Sequence, residues 1–268
     1  MYAPLTFEAL TIAYFAALAV AARWTQAPAE TRRLTTVLFV GIAAAIAAAS
    51  YVLPVGARFW LGHAYLVAGY RLPALLVRQN TIVESRITDP GPFESWLVRM
   101  DARWFRLGSQ VVPNWAAYLF ELSYLFCYAL VPAAFLFIWT RASAAVVDRF
   151  WTAVLLGGFA CYGLLPWLVS IPPRARRMES AAASTLRRLN VEILSRASHG
   201  LNTFPSGHVA VSVAAALSVL VVSWSAGLLA LAIASAVAAG AVAGRYHYAV
   251  DVAAGYIVGV SGWILAMQ

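Results

Sequence analysis

The sequence predicts an all-α integral membrane protein, one domain over 1–268 with about six to seven transmembrane helices. Three observations carry that reading. Of 268 residues, 62% are apolar and only 11% charged, where soluble domains run near about 45–50% and about 25%. Mean hydropathy is +0.76. Seven long apolar runs recur along the chain, each close to the ~20 residues a helix needs to cross a bilayer core. A soluble globular domain and a disordered chain are both excluded.

In chain order, the first two spans are expected over 5–23 and 36–54. The run 59–77 contains His63, Arg71 and Pro73, and is expected to be interfacial or re-entrant. The stretch 78–113 carries Trp96, Asp101, Arg103, Trp104 and Arg106 and reads as a partly amphipathic interfacial segment. Spans follow over 114–139 and 150–170, then a basic stretch over 171–205. The last three spans cover 208–224, 226–243 and 248 to the C-terminus. Residues 1–147 thus hold the N-terminal spans and interfacial segment, and 148–268 the core spans. Trp24, Trp139, Trp151, Trp167 and Trp224 fall near run ends, as an aromatic belt requires. The first run lacks a basic leader and a small-residue cleavage site, so no signal peptide is expected. Cys127 and Cys161 lie in separate apolar runs and read as buried thiols.

All 19 basic residues are Arg, and the net charge is +8. Lysine Schiff-base chemistry is therefore excluded. Such a balance suits anionic headgroups or phosphorylated substrates. Nucleic acid is not expected, because the arginines form no soluble basic face. Counting spans brings 78–113, 171–205 and the junction 244–247 to one membrane face. The connections 24–35 and 140–149, with Arg32, Arg33, Arg141 and Arg149, are expected on the other face. The positive-inside rule then makes the first face extracytoplasmic.

Three elements at that face carry chemistry. They are Ser170-Ile171-Pro172-Pro173-Arg174, Asn202-Thr203-Phe204-Pro205-Ser206-Gly207-His208, and Gly244-Arg245-Tyr246-His247-Tyr248-Ala249-Val250-Asp251. Guanidinium groups, a hydroxyl and helix-start N–H groups all suit a phosphate. His247 and Asp251 are four apart, which on a helix is one face. A carboxylate there holds one imidazole nitrogen and sets the tautomer, and an ionisable residue in an apolar helix needs such a partner. Glu121, inside an apolar run, reads as a clamp on a buried Arg, with substrate contact as the alternative. His63 and His199 read as structural. No set of residues has metal-binding spacing.

Pro-Ser-Gly-His followed about 40 residues later by His-x-x-x-Asp resembles the signature of the type 2 phosphatidic acid phosphatase superfamily. The resemblance covers about 150–260 and three motifs in order. Pro-Pro-Arg and Arg-Tyr-His-Tyr are most similar to the branch with inositol phosphorylceramide synthases and many bacterial relatives. It implies a core helix bundle of the lipid phosphatase type in a bacterial inner membrane, with 148–268 as its catalytic part. It implies His247 as the nucleophile that forms a phosphohistidine, Asp251 as its orienting group and His208 as the acid for the leaving oxygen. It implies Arg174, Ser206, Gly207 and Arg245 as phosphate ligands, and neither metal nor cofactor. Two positions depart from the pattern. Trp167 stands at the usual first-motif Lys, for which Arg176 or Arg177 would substitute. Ala241 stands where the third-motif Arg usually lies, and Arg245 is two before the His instead.

The leading expectation is a phosphatase acting on a lipid phosphate or diphosphate. Gly207 favours hydrolysis, since synthase-like relatives often carry Met there. The alternative is a phosphotransferase moving a phospho-headgroup, such as inositol phosphate, onto a lipid hydroxyl. A non-enzymatic transporter or lipid-binding protein is a third class, weakened by the two histidines and the absence of repeats.

Overall fold

Apolar runs in a membrane must satisfy their backbone groups internally, and here they do so as helices. The structure, a computed structural model, describes residues 3–77, 85, 87, 89–105, 114–176 and 185–268. Its helices are α1 (Thr6–Ala21), α2 (Ala29–Val52), α3 (Val55–Arg71), α4 (Gly91–Phe105), α5 (Asn114–Trp139) and α6 (Ala144–Tyr162). The one-turn α7 (Pro173–Arg176), α8 (Thr185–Ala197), α9 (Gly207–Val222), α10 (Trp224–Ala243) and α11 (Ala249–Ala266) complete them. Among the described residues six are long and apolar enough to cross a membrane: α1, α2, α5, α6, α10 and α11. The 16-residue α9 is shorter but lies between α5, α6, α10 and α11 at the centre of the bundle. The chain is an all-α integral membrane protein.

The N-terminal half differs from expectation at α3. This helix runs parallel to α6, one of the six candidate spans, along the bundle. A Cβ on Gly62 would meet the Trp151 ring at 2.3 Å, and one on Gly69 the Phe159 ring at 2.2 Å. Tyr70, at the far end of α3, packs on Tyr162, at the far end of α6. Arg58, just ahead of the run 59–77, is buried in a salt bridge with Glu8 of α1. Asp148 at the start of α6 accepts from the Thr6 N–H (3.1 Å), the Thr6 hydroxyl (2.8 Å) and the Phe7 N–H (3.1 Å). It thereby serves the orphan donors at the start of α1 from another helix.

This packing moves two other expectations. The start of α1 stands beside residues 140–149, so the connection 24–35 is at the opposite end of the bundle. Arg23, Arg32 and Arg33 therefore sit at one end and Arg141 and Arg149 at the other. The count of basic connections no longer separates the two membrane faces. Trp151 is not in the aromatic belt either; it is fully buried against Phe7, His63 and Phe135. Trp24, Trp139, Trp167 and Trp224 are exposed. Cys127 and Cys161 are free and buried, as expected.

At the end where α6 finishes, the chain builds a cap over the bundle. It consists of residues 163–176, α8, the segment 198–206 and the turn 244–248. The amphipathic α4 packs beside α11 there.

Candidate active site

The turn between α10 and α11 positions His247. The N–H groups of Tyr246 and His247 both return to the Ala241 carbonyl at 2.9 and 3.0 Å, closing α10. Arg245 takes a left-handed conformation, φ 59°, uncommon for a side chain larger than Gly. His247 thus precedes α11 and does not share a helical face with Asp251. Asp251 sits in the first turn of α11 and reaches back toward it. One carboxylate oxygen, Oδ2, accepts from the Tyr248 N–H at 3.1 Å and from the Asn202 side-chain amide at 2.6 Å. The same oxygen faces His247 Nδ1 at 3.5 Å. Both residues are buried. The two side chains face each other, but through helix-capping geometry and at 3.5 Å, without a hydrogen bond between them.

His208 enters from the first turn of α9. Its ring lies 6.1 Å from that of His247, centroid to centroid, and nearly perpendicular at 82°. Rings of Tyr70, Tyr124 and Tyr128 surround it at 5.9, 6.1 and 5.9 Å. The preceding Ser206 and Gly207 hold α9 against its neighbours. The Ser206 N–H donates to the Asp251 carbonyl at 3.0 Å. A Cβ on Gly207 would stand 2.0 Å from the Tyr162 ring, so a side chain here displaces a wall of the cleft.

Between these elements lies an open cleft. His208, His247 and Arg174 line it, with Asn202, Thr203 and Ser198 as further polar walls. Tyr70, Tyr124, Tyr162 and Tyr246 supply aromatic walls. The Arg174 backbone N–H donates to the Arg245 carbonyl at 3.0 Å, and its guanidinium lies 4.7 Å from the Tyr246 ring centre. Burial lowers its pKa from the usual arginine value, and no carboxylate pairs with it among the described residues. It is the cation the cleft offers an anion. His199 sits behind Tyr70, ring centres 4.5 Å apart. Burial first and Arg71 second bring its pKa down to about 4, so it is neutral at pH 7.

The other expected residues are placed differently. Arg245 points away from the cleft to Asp101 of α4, at 2.9 Å. Asp101 also accepts from the Ala249 N–H at 2.9 Å, capping α11. Ser206 and Gly207 form the start of α9 and are not among the cleft walls. The Gly207 N–H donates to the Thr203 hydroxyl at 3.3 Å, and Ser206 Oγ is buried with no partner among the described residues. Glu121 is a clamp: it accepts from Arg187 at 2.6 Å, Asn190 at 2.6 Å and the Tyr246 hydroxyl at 2.5 Å. Burial and Glu121 raise the Tyr246 pKa, so the phenol donates. The Arg176 side chain and Arg177 lie outside the described residues.

Sequence reasoning quoted Asn202 inside a motif but gave it no role, and missed Tyr70 and Asp101. Asn202 carries no spacing signal, because its partner Asp251 is 49 residues away. Tyr70 comes from the run misjudged as interfacial. An acidic residue in an amphipathic segment opposite an arginine-bearing turn was the available sign for Asp101.

The membrane bundle thus carries, at one end, a cleft lined by two histidines and an arginine. A family model described as the PAP2 superfamily matches residues 95–265, and the chain belongs to that superfamily. The match begins within α4, upstream of the motifs, and so takes in the helices that carry Asp101 and Glu121. Membership makes its chemistry that of the phosphatase type. No curated protein and no solved structure gives a significant match.

Proposed function

We propose that the protein hydrolyses a lipid phosphate or diphosphate through a phosphohistidine on His247. The observation that carries this reading is the cleft in which His247, His208 and Arg174 meet from three separate segments. Asp251 faces Nδ1 of His247, which favours a proton there and leaves Nε2 to attack phosphorus. His208, on another helix, stands on the leaving-group side, as in-line displacement requires. It donates its proton to the departing oxygen. Arg174 offsets the charge on the phosphoryl oxygens, and the starts of α9 and α11 add positive helix-end potential near the site. Water then attacks the phosphohistidine, with His208 as the base.

The cleft opens at the end of the bundle where the amphipathic α4 and α8 lie, where a lipid headgroup meets the protein. The test is phosphate release by the purified protein in detergent from dioctanoyl phosphatidate, a prenyl diphosphate, a sphingoid phosphate and phosphatidylglycerol phosphate. Release from at least one, in EDTA, is expected. His247→Ala should abolish it, and His208→Ala should slow it most for poor leaving groups. Formation of a new phospholipid on adding a lipid alcohol, without phosphate release, would establish transfer instead of hydrolysis.

A further inference from the structure

We propose that Asn202 is a positioning residue that acts through Asp251 on His247, an inference that rests on the phosphohistidine reading. Asn202 is buried and donates one amide hydrogen to Asp251 Oδ2 at 2.6 Å and the other to Ser170 Oγ at 3.2 Å. Its orientation is fixed by chemistry, since an amide oxygen set against the carboxylate would be repelled. The Asn202 backbone is pinned separately: its N–H donates to the Ser170 carbonyl at 2.8 Å in an isolated antiparallel bridge. The side chain is therefore not needed to hold this segment in place.

The oxygen that Asn202 holds is the one that faces His247. Oδ2 has three claimants: the Asn202 amide at 2.6 Å, the Tyr248 N–H at 3.1 Å and His247 Nδ1 at 3.5 Å. The two shorter contacts hold the buried carboxylate in one rotamer. They also leave the neutral imidazole loosely held in the resting enzyme. As His247 attacks, its ring gains positive charge and its pull on Oδ2 grows, while the amide's does not. The carboxylate then helps the transition state more than the ground state, and only such a difference accelerates a chemical step. Without Asn202, the carboxylate turns to its next donor, Nδ1, and the gain between ground and transition state shrinks. The loss falls on kcat and leaves KM nearly unchanged.

The test is steady-state hydrolysis of dioctanoyl phosphatidate by the wild type, Asn202→Ala, Asp251→Asn and the double variant, with thermal melts as a control on folding. Asn202→Ala should lower kcat by about 10- to 100-fold, the usual cost of losing an outer partner of a reacting group, with KM within about threefold. The double variant should be no slower than Asp251→Asn alone, because groups acting through one another are not additive. Asn202→Asp keeps the shape but sets a second carboxylate against the first; where its melt shows it folded, it should lose kcat as well. Ser170→Ala, which leaves the Asp251 contact intact, should keep most of the activity. Additive losses in the double variant, a KM effect in place of a kcat effect, or wild-type kcat in Asn202→Asp would each overturn the proposal. An inactive wild type, or full activity in His247→Ala, would overturn the phosphohistidine reading itself.

Discussion

Burial sets the protonation state of His199 beside the cleft. His199 has its pKa held at about 4 by burial and Arg71, against an unfolded value near 6.5. Between those two values the unfolded chain binds the proton and the folded chain does not, so stability rises with pH there. It is fully present above about 6.5 and lost as pH falls through about 4. The melting temperature should fall over that window more in the wild type than in His199→Gln. Equal falls would show that His199 does not titrate with unfolding. At this scale the sequence was legible where residues are chemically loud. Two histidines, an aspartate and Arg174 were named from motifs, and all four meet at or beside one cleft. Arg245 was misplaced because spacing locates a residue along the chain but not where its side chain turns. A left-handed φ sends this one to Asp101, 144 residues away.

The helices divide between those that span and those that cap the site, and Glu121 joins the two sets. It ties α5 to Arg187 and Asn190 of α8 and to Tyr246 in the turn before α11. Arg187 also donates to the Gly244 carbonyl at 2.6 Å. Glu121→Leu would remove the carboxylate that accepts from the part-buried Arg187 and the buried Asn190 and Tyr246. Breaking a buried pair from one side typically costs about 3–5 kcal/mol, and the loss should show as a lower melting temperature. It should also show as faster tryptic cleavage at Arg187 and Arg188, since α8 loses its anchor. Glu121→Gln retains an acceptor and should do less of both; unchanged cleavage in Glu121→Leu would contradict the clamp. Element boundaries were legible for uninterrupted apolar runs: α5 begins and ends as expected. The α3 run was not, because a local window counts His63, Arg71 and Pro73 against a crossing and cannot see the distant helices that α3 packs on. Arg58, just before that run, pairs with Glu8, 50 residues upstream.

At the scale of the whole molecule, the passage of α3 along the bundle sets the topology. α1 starts, and α11 finishes, at the end opposite the cleft. Single cysteines at Ala3 and Thr140 should therefore react with an impermeant thiol reagent from one side of the membrane. Those at Glu30 and Ser195 should react from the other; Cys127 and Cys161 are buried and add little background. Had the run 59–77 stayed in the interface, Ala3 would label with Ser195 and Glu30 with Thr140. The same arrangement gathers Arg174, His208 and His247 at one end, where a phosphate attached to a bilayer lipid can reach them. The central claim is that His247 carries the phosphoryl group during turnover. It is tested most directly by rapid quench of the purified protein with lipid phosphate radiolabelled at phosphorus, followed by peptide mapping of the trapped label. An acid-labile, base-stable adduct on the peptide holding His247, absent in His247→Ala and formed at least as fast as phosphate is released, is the predicted result. Turnover at the full rate with no label on that peptide would contradict it.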